Sequence, residues 1–187
     1  MNPGNYQNNY YTQLVDIMKK IFLPIALLLA SCADIPDGVS AIDGFDAKRY
    51  LGTWYEIARL EQSFETGLDN ISATYTLRDD GGIDVLNKGW NLQTGEWKKA
   101  EGKAFFVEQP DKGRLKVSFF GPFYGGYNII ELDKKDYSYS MVAGPDKSYL
   151  WILSRTKTLP KATLDKLIDQ AKKQGFATEK LIFVKQN

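Results

Sequence analysis

The sequence predicts an all-β domain of eight sequential antiparallel strands, followed by one C-terminal α-helix and a short ninth strand. Three observations carry this. Turn-forming clusters of Gly, Pro, Asn and Asp recur at residues 79–82, 91–95, 110–113, 121–126, 133–136 and 144–147, the spacing of short antiparallel strands. The segments between them are rich in Val, Ile, Phe, Tyr and Trp, side chains that suit a pleated, half-buried surface. After Pro160 the period changes: Leu164, Leu167, Ile168 and Ala171 fall three and four apart, as on one face of a helix, and Gly175 can stop it.

In order, the strands are predicted at 52–60, 70–78, 83–90, 96–108, 114–120, 126–132, 137–143 and 148–155, with the ninth at 180–185. The first opens on Gly52-Thr53-Trp54-Tyr55. A glycine two places before a tryptophan lets the backbone bend tightly, so that the ring can plug the base of a closed sheet. Eight such strands close most simply into an up-and-down barrel, which removes both sheet edges and leaves an interior able to hold one small ligand. A two-layer sandwich is the alternative these patterns leave open. The helix should lay its apolar stripe on the sheet.

At the N-terminus, Lys19 and Lys20 precede the apolar run 21–30, which has the form of an export signal and is too short for a membrane span. It ends in Leu29-Ala30-Ser31-Cys32, which resembles the bacterial lipoprotein signal. The only cysteine of the chain stands there, without a partner for a disulfide. The resemblance implies cleavage before Cys32, lipidation of its thiol and attachment to a membrane. Several acyl chains would be needed, because one anchors only marginally at about 0.8 kcal/mol per buried CH2. Ala33 rather than an aspartate follows the cysteine, which points to the outer membrane in bacteria with two membranes. The chain thus divides into an upstream extension and signal peptide (1–31), an anchor and flexible tether (32–44) and a domain (45–187). Residues 1–17 are not part of a normal signal, and Met18 offers an alternative start. Removing residues 1–31 takes away two lysines and one aspartate, leaving the rest formally neutral. No run supplies the basic face that nucleic acid demands.

Three segments together resemble the lipocalin family: Gly52-Thr53-Trp54-Tyr55, Asp69-Asn70 leading to Tyr75, and Tyr149-Leu150-Trp151-Ile152-Leu153-Ser154-Arg155. The resemblance covers residues 45–187. It is strongest to the bacterial outer-membrane lipocalins, which share the segment Gly121-Pro122-Phe123-Tyr124-Gly125-Gly126-Tyr127. It implies the barrel rather than the sandwich. It also implies that Arg155 lies across Trp54 at the closed end as a structural latch; Gly52, at the mouth of the strand, is structural as well. A guanidinium on an indole face contributes about 0.5 to 2 kcal/mol. The segment Leu132-Asp133-Lys134-Lys135 departs from the threonine-aspartate-tyrosine of animal members, so a receptor contact there does not transfer.

With Trp54 inward, the period of two phases each strand. Ala58, Ile71, Ala73, Tyr75, Val85, Asn87, Ala104, Phe106, Val117, Phe119, Met141, Tyr149, Trp151 and Leu153 are expected to line the interior. Small residues there leave volume, Phe119 and Trp151 supply apolar walls, and Asn87 with the hydroxyls of Tyr75 and Tyr149 supplies polarity. Such a pocket suits an elongated amphiphile, a fatty acid or a lysophospholipid. Burying about ten methylenes yields at most roughly 8 kcal/mol before the costs of association. Lys98, Lys103 and Arg114 are candidates to meet a head group, or are solvated surface charges.

Catalysis has little support. The chain has no histidine, and its cysteine belongs to the anchor, which removes the usual nucleophile and base pairs and most zinc sites. Asp79, Asp80, Asp133 and Asp136 sit in turns, where aspartate bonds its own backbone. The glycines of 121–126 precede a strand, so they form no dinucleotide fingerprint. No cofactor or metal is called for. A lipid carrier is the reading, with a filled-barrel structural lipoprotein and a lipid-metabolising enzyme as alternatives; a homodimer stays open.

Overall fold

The computed structural model of the protein describes residues 33–187. The signal segment, the alternative start at Met18 and the anchor residue Cys32 lie outside the described residues. Strands β1 (Gly52–Arg59), β2 (Leu68–Leu77), β3 (Ile83–Asn91), β4 (Glu96–Phe106), β5 (Arg114–Phe120), β6 (Phe123–Leu132), β7 (Tyr139–Ala143) and β8 (Leu150–Ser154) each pair antiparallel with the next. Strand β1 also pairs with β8, so the sheet closes on itself and the two-layer alternative falls.

Strand β9 (Ile182–Phe183) pairs with the far end of β1, which β2 leaves uncovered. It is shorter than the alternation suggested. Strand β6 starts earlier than expected, because Gly125 and Gly126 pair with Val117 and Lys116 instead of forming a turn. A one-turn helix, α1 (Ala47–Tyr50), precedes β1, with the Asp46 carboxylate accepting from the Lys48 N–H. Four residues are too few for periodicity to reveal.

Helix α2 (Lys161–Lys173) ends where Gly175 adopts a positive φ of 85°. Its Leu167 and Ala171, with Phe176, pack on the outer wall against Ile57, Ala58, Ile130, Met141, Ala143, Leu150 and Ile152. A second core fills the barrel's closed end around Phe45, Tyr50, Trp54, Tyr75, Ile129, Leu132, Tyr137 and Leu153. The barrel wall thus has two apolar faces only where the helix covers it, and alternates apolar with polar elsewhere.

Residues 33–44 correct the expectation of a flexible tether. They lie against the outside of β5 and β6: the side chain of Asn128 donates to the Asp34 carbonyl at 2.9 Å, Arg114 to the Ala33 carbonyl at 3.1 Å, and Ile42 exchanges backbone bonds with Ile129 and Gly113. Val39 is buried among the apolar residues beside the helix.

Candidate ligand-binding site

The closed end is latched as a unit. Gly52 has a φ of 90°, and a Cβ there would stand 3.4 Å from the Arg155 guanidinium. That guanidinium sits 4.0 Å from the centroid of the Trp54 ring and donates to the carbonyls of Thr53, Arg49 and Tyr137. Trp54 is fully buried, and its indole N–H donates to the Tyr50 carbonyl at 2.8 Å. Above it runs a chain of hydroxyls: Tyr75 to Tyr127 at 2.8 Å, Tyr127 to Tyr50 at 2.9 Å, and Tyr50 to Ser140 at 3.2 Å. Burial pushes the Tyr50 hydroxyl up to about 12 and raises Tyr75 and Tyr127 as well, so all three stay protonated. The Tyr75 hydroxyl is therefore already engaged and is not free for a head group.

All but two of the predicted lining positions face inward. Ala73, Tyr75, Val85, Ala104, Phe106, Val117, Phe119, Trp151 and Leu153 belong to the interior cluster. Asn87 pairs with Ala73 and so shares its face. Ile71 stands 3.3 Å from where a Cβ of inward Gly89 would be. Tyr149 lies at the mouth, its ring 6.0 Å from that of Trp151.

Ala58 and Met141 are corrections: both face outward, under the helix. Strand β1 carries a bulge at Ile57, where Glu56 pairs with Leu153 and Ala58 already pairs with Ile152. The extra residue reverses the phase of everything after it. In β7, Met141 pairs with outward Ile152, while Ser140 and Val142 pair with inward Leu153 and Trp151.

The same bulge exposes what the alternation concealed. Glu56 and Arg59, three apart, both point inward, and the loop from β1 to β2 brings Glu65 onto them. Arg59 Nη1 lies 3.1 Å from Glu56 Oε1, Arg59 Nη2 donates to the Glu65 carbonyl at 3.0 Å, and Arg59 Nε stands 3.9 Å from Glu65 Oε2. The Trp151 indole donates to Glu65 Oε2 at 3.1 Å. All three charged residues are buried, with relative exposures of 3, 2 and 8% for Glu56, Arg59 and Glu65. Burial raises the carboxyls of both glutamates, with the charge of Glu65 adding to the effect on Glu56. A glutamate and an arginine inside an apolar strand were the available signal. Regular alternation puts positions three apart on opposite faces, and the bulge undoes that.

Several inward side chains, Ala73, Asn87, Phe106, Val117, Phe119, Tyr127 and Trp151, are only half-buried. Inside a closed wall, their accessible surface faces the lumen or its mouth. A depression of about 710 Å³ lies mainly on the outer face of the wall, lined by Thr74, Thr76, Asp84, Leu86, Glu101, Lys103 and Ser118, and reaches inward Val85, Gly102 and Phe119 beside the β4–β5 pairing. A smaller one of about 360 Å³, between Tyr55, Asn70, Trp97 and the C-terminus, touches none of the predicted lining residues. Around the mouth stand Phe64, Leu92, Phe120 and Phe123, all largely exposed. Of the basic candidates, Arg114 is engaged outside the barrel with Glu108 and the Ala33 carbonyl.

The family model of a lipocalin-like domain matches residues 45–186. The chain belongs to the lipocalin family. Among curated relatives, this lipocalin is 52% identical over 170 residues to the outer membrane lipoprotein Blc of Vibrio cholerae, covering 90% of this chain and 99% of that one. It is 55% identical over 163 residues to the outer membrane lipoprotein Blc of Citrobacter freundii, covering 86% and 92%. Two solved structures share the fold at lower identity. The cockroach major allergen Per a 4 superposes with a TM-score of 0.65 at 23% identity, over 84% of this chain and 96% of that one. Insecticyanin of the tobacco hornworm Manduca sexta gives 0.62 at 24%, over 81% and 86%.

Proposed function

We propose that this lipocalin is a lipid-anchored carrier of the bacterial outer membrane, which binds a single-chain amphiphile, a fatty acid or a lysophospholipid, in its barrel. The observation that carries the reading is the set of inward, mostly apolar side chains that remain half-buried inside a closed wall: Ala73, Phe106, Val117, Phe119 and Trp151. In a filled core those side chains would be covered by one another. An acyl tail is the apolar partner that completes them.

Position supports the membrane. Its relatives are named outer membrane lipoproteins, and Cys32 stands where their kind of signal places the lipidated residue. The described chain begins at Ala33, hydrogen-bonded to Arg114 and close to Gly126, three residues from the tip of the β5–β6 hairpin at the mouth. At about 3.3 Å per residue, an anchor at Cys32 holds that tip within roughly 10–15 Å of the lipid. Phe120 and Phe123, paired across the hairpin and 81 and 74% exposed, sit at that tip. The buried carboxylates of Glu56 and Glu65 are tied to Arg59 and Trp151 and lack a histidine or cysteine partner, which favours binding over turnover.

Native mass spectrometry of the full chain purified from cells tests the reading. A retained amphiphile of a few hundred daltons is the expected result, and after its removal Trp151→Ala should weaken binding of a fluorescent fatty acid several-fold. A protein that emerges empty and takes up no amphiphile would leave only the filled-barrel alternative.

A further inference from the structure

The hairpin of β3 and β4 extends past its neighbour. Strand β4 starts at Glu96, but its pairing with β5 begins only at Lys103, opposite Ser118. Residues 92–101 are exposed throughout, and among the described residues the edge of 96–101 that faces away from β3 has no strand beside it. Such an edge is normally guarded by charge on the edge strand itself. That explains Lys98, Lys99 and Glu101 and no more.

Three features exceed what edge protection needs. Lys88, on the covered strand β3, pairs directly with Lys99, an arrangement of like charges that costs stability in water. From Lys88 to Lys99 the hairpin carries three lysines and a single acid, Glu96, and none of these lysines joins an ion pair among the described residues. Beyond them Trp90 and Trp97 are also directly paired, with ring centroids 5.5 Å apart, and Leu92 stands at the turn; Trp97 is 53% and Leu92 62% exposed. Unpaired cations call for an anion. An indole and a leucine left in water beside them call for the boundary of a hydrocarbon layer.

Place on the molecule decides which anion. The β4–β5 pairing makes this hairpin and the β5–β6 hairpin neighbours on the rim of the mouth, and the β5–β6 tip lies nearest the anchor proposed at Cys32. An anionic lipid surface meets both hairpins at once. We propose, resting on the membrane attachment proposed above, that the β3–β4 hairpin is a docking surface for anionic phospholipid. Leu92 and Trp97 enter the interface, and Lys88 and Lys99 lie against the phosphates, where the charge of the surface relieves their mutual repulsion. Lys98 flanks them from the other face of β4. The phenylalanines at the β5–β6 tip supply apolar contact without charge, so the lysines decide which lipid the mouth faces.

The full chain, purified from cell membranes and reconstituted into vesicles with brominated acyl chains, tests this. Vesicles of phosphatidylcholine alone are compared with equimolar phosphatidylcholine and phosphatidylglycerol. The Trp97 fluorescence is read as the difference from Trp97→Phe, which removes the signal of the other indoles. Bromine should quench Trp97 in the anionic vesicles and far less in the neutral ones. Each lysine at an anionic surface is worth about fivefold in partition, so Lys88→Gln, Lys98→Gln and Lys99→Gln together should shift the contact equilibrium about a hundredfold and bring quenching down to the neutral level. Salt at about 1 M, which screens charges beyond about 3 Å, should do the same to the unaltered chain, a readout that does not depend on the variant folding. Equal quenching in the two vesicle types would overturn the proposal. A protein that floats with both vesicles while Trp97 stays unquenched would overturn the hairpin contact and leave the anchor intact. One that floats with neither would overturn attachment and docking together. A dimer that the three substitutions dissociate, with Trp97 unquenched, would assign the hairpin to a second copy of the chain instead.

Discussion

Glu56 is a carboxyl group that the fold holds away from its ordinary behaviour, and this has a measurable sign. Its proton is bound more tightly in the folded protein than in the unfolded chain, first because of burial and next because of Glu65. The folded state therefore binds more protons than the unfolded one over that range, and stability falls as pH rises. The contribution is fully present below the unfolded value of about 4.3 and is lost as pH climbs through the raised folded value. Surface carboxylates such as Asp80, held at about 2 by Arg78, act in the opposite sense at acidic pH. The difference between the unaltered chain and Glu56→Gln isolates the buried group: its urea midpoint relative to that variant should decline as pH rises above the unfolded value of about 4.3 and level off beyond the raised folded one. A difference independent of pH would show that Glu56 titrates normally. None of this is visible residue by residue in the sequence, where Glu56 and Arg59 read as polar interruptions of an apolar strand.

Strand existence was legible because every strand carries its own turn signals and its own alternation. What alternation cannot register is an inserted residue. The bulge at Ile57 turned Ala58 outward and brought Glu56 and Arg59 to the same face. Met141 failed for a related reason: β7 is buried on both faces, since Val142 and Ser140 look into the barrel while Met141 and Ala143 look toward the helix. A strand buried on both sides gives no alternation to phase. The helix itself was legible from its spacing, and its outer-wall packing has a simple test. Leu167, fully buried in that interface, should cost about 3 kcal/mol when cut back to alanine, seen as a lower urea midpoint. A loss below about 1 kcal/mol would mean that the helix adds little to the wall.

For the whole molecule, the packing of residues 33–44 on the barrel wall matters most, given the anchor proposed at Cys32. With residues 33–44 laid along β5 and β6, the mouth and its exposed Phe120 and Phe123 stay near whatever holds Cys32. Cys32→Ser in the full chain should release the protein into the soluble fraction of cell lysates, and continued detergent-dependent retention in membranes would refute the anchor assignment. If the Ser variant still floats with liposomes at low yield, adding Phe120→Ser and Phe123→Ser should abolish that residual binding, as expected of an apolar rim touching lipid.

By itself, the sequence determined the count and order of strands, the helix and the family, because each is written locally in turn residues, period or motif. Only the tertiary structure decided which polar groups enter the barrel and that the presumed tether is bound to its wall. Those outcomes depend on register and on pairing between distant strands, where one extra residue in β1 exchanges inside for outside.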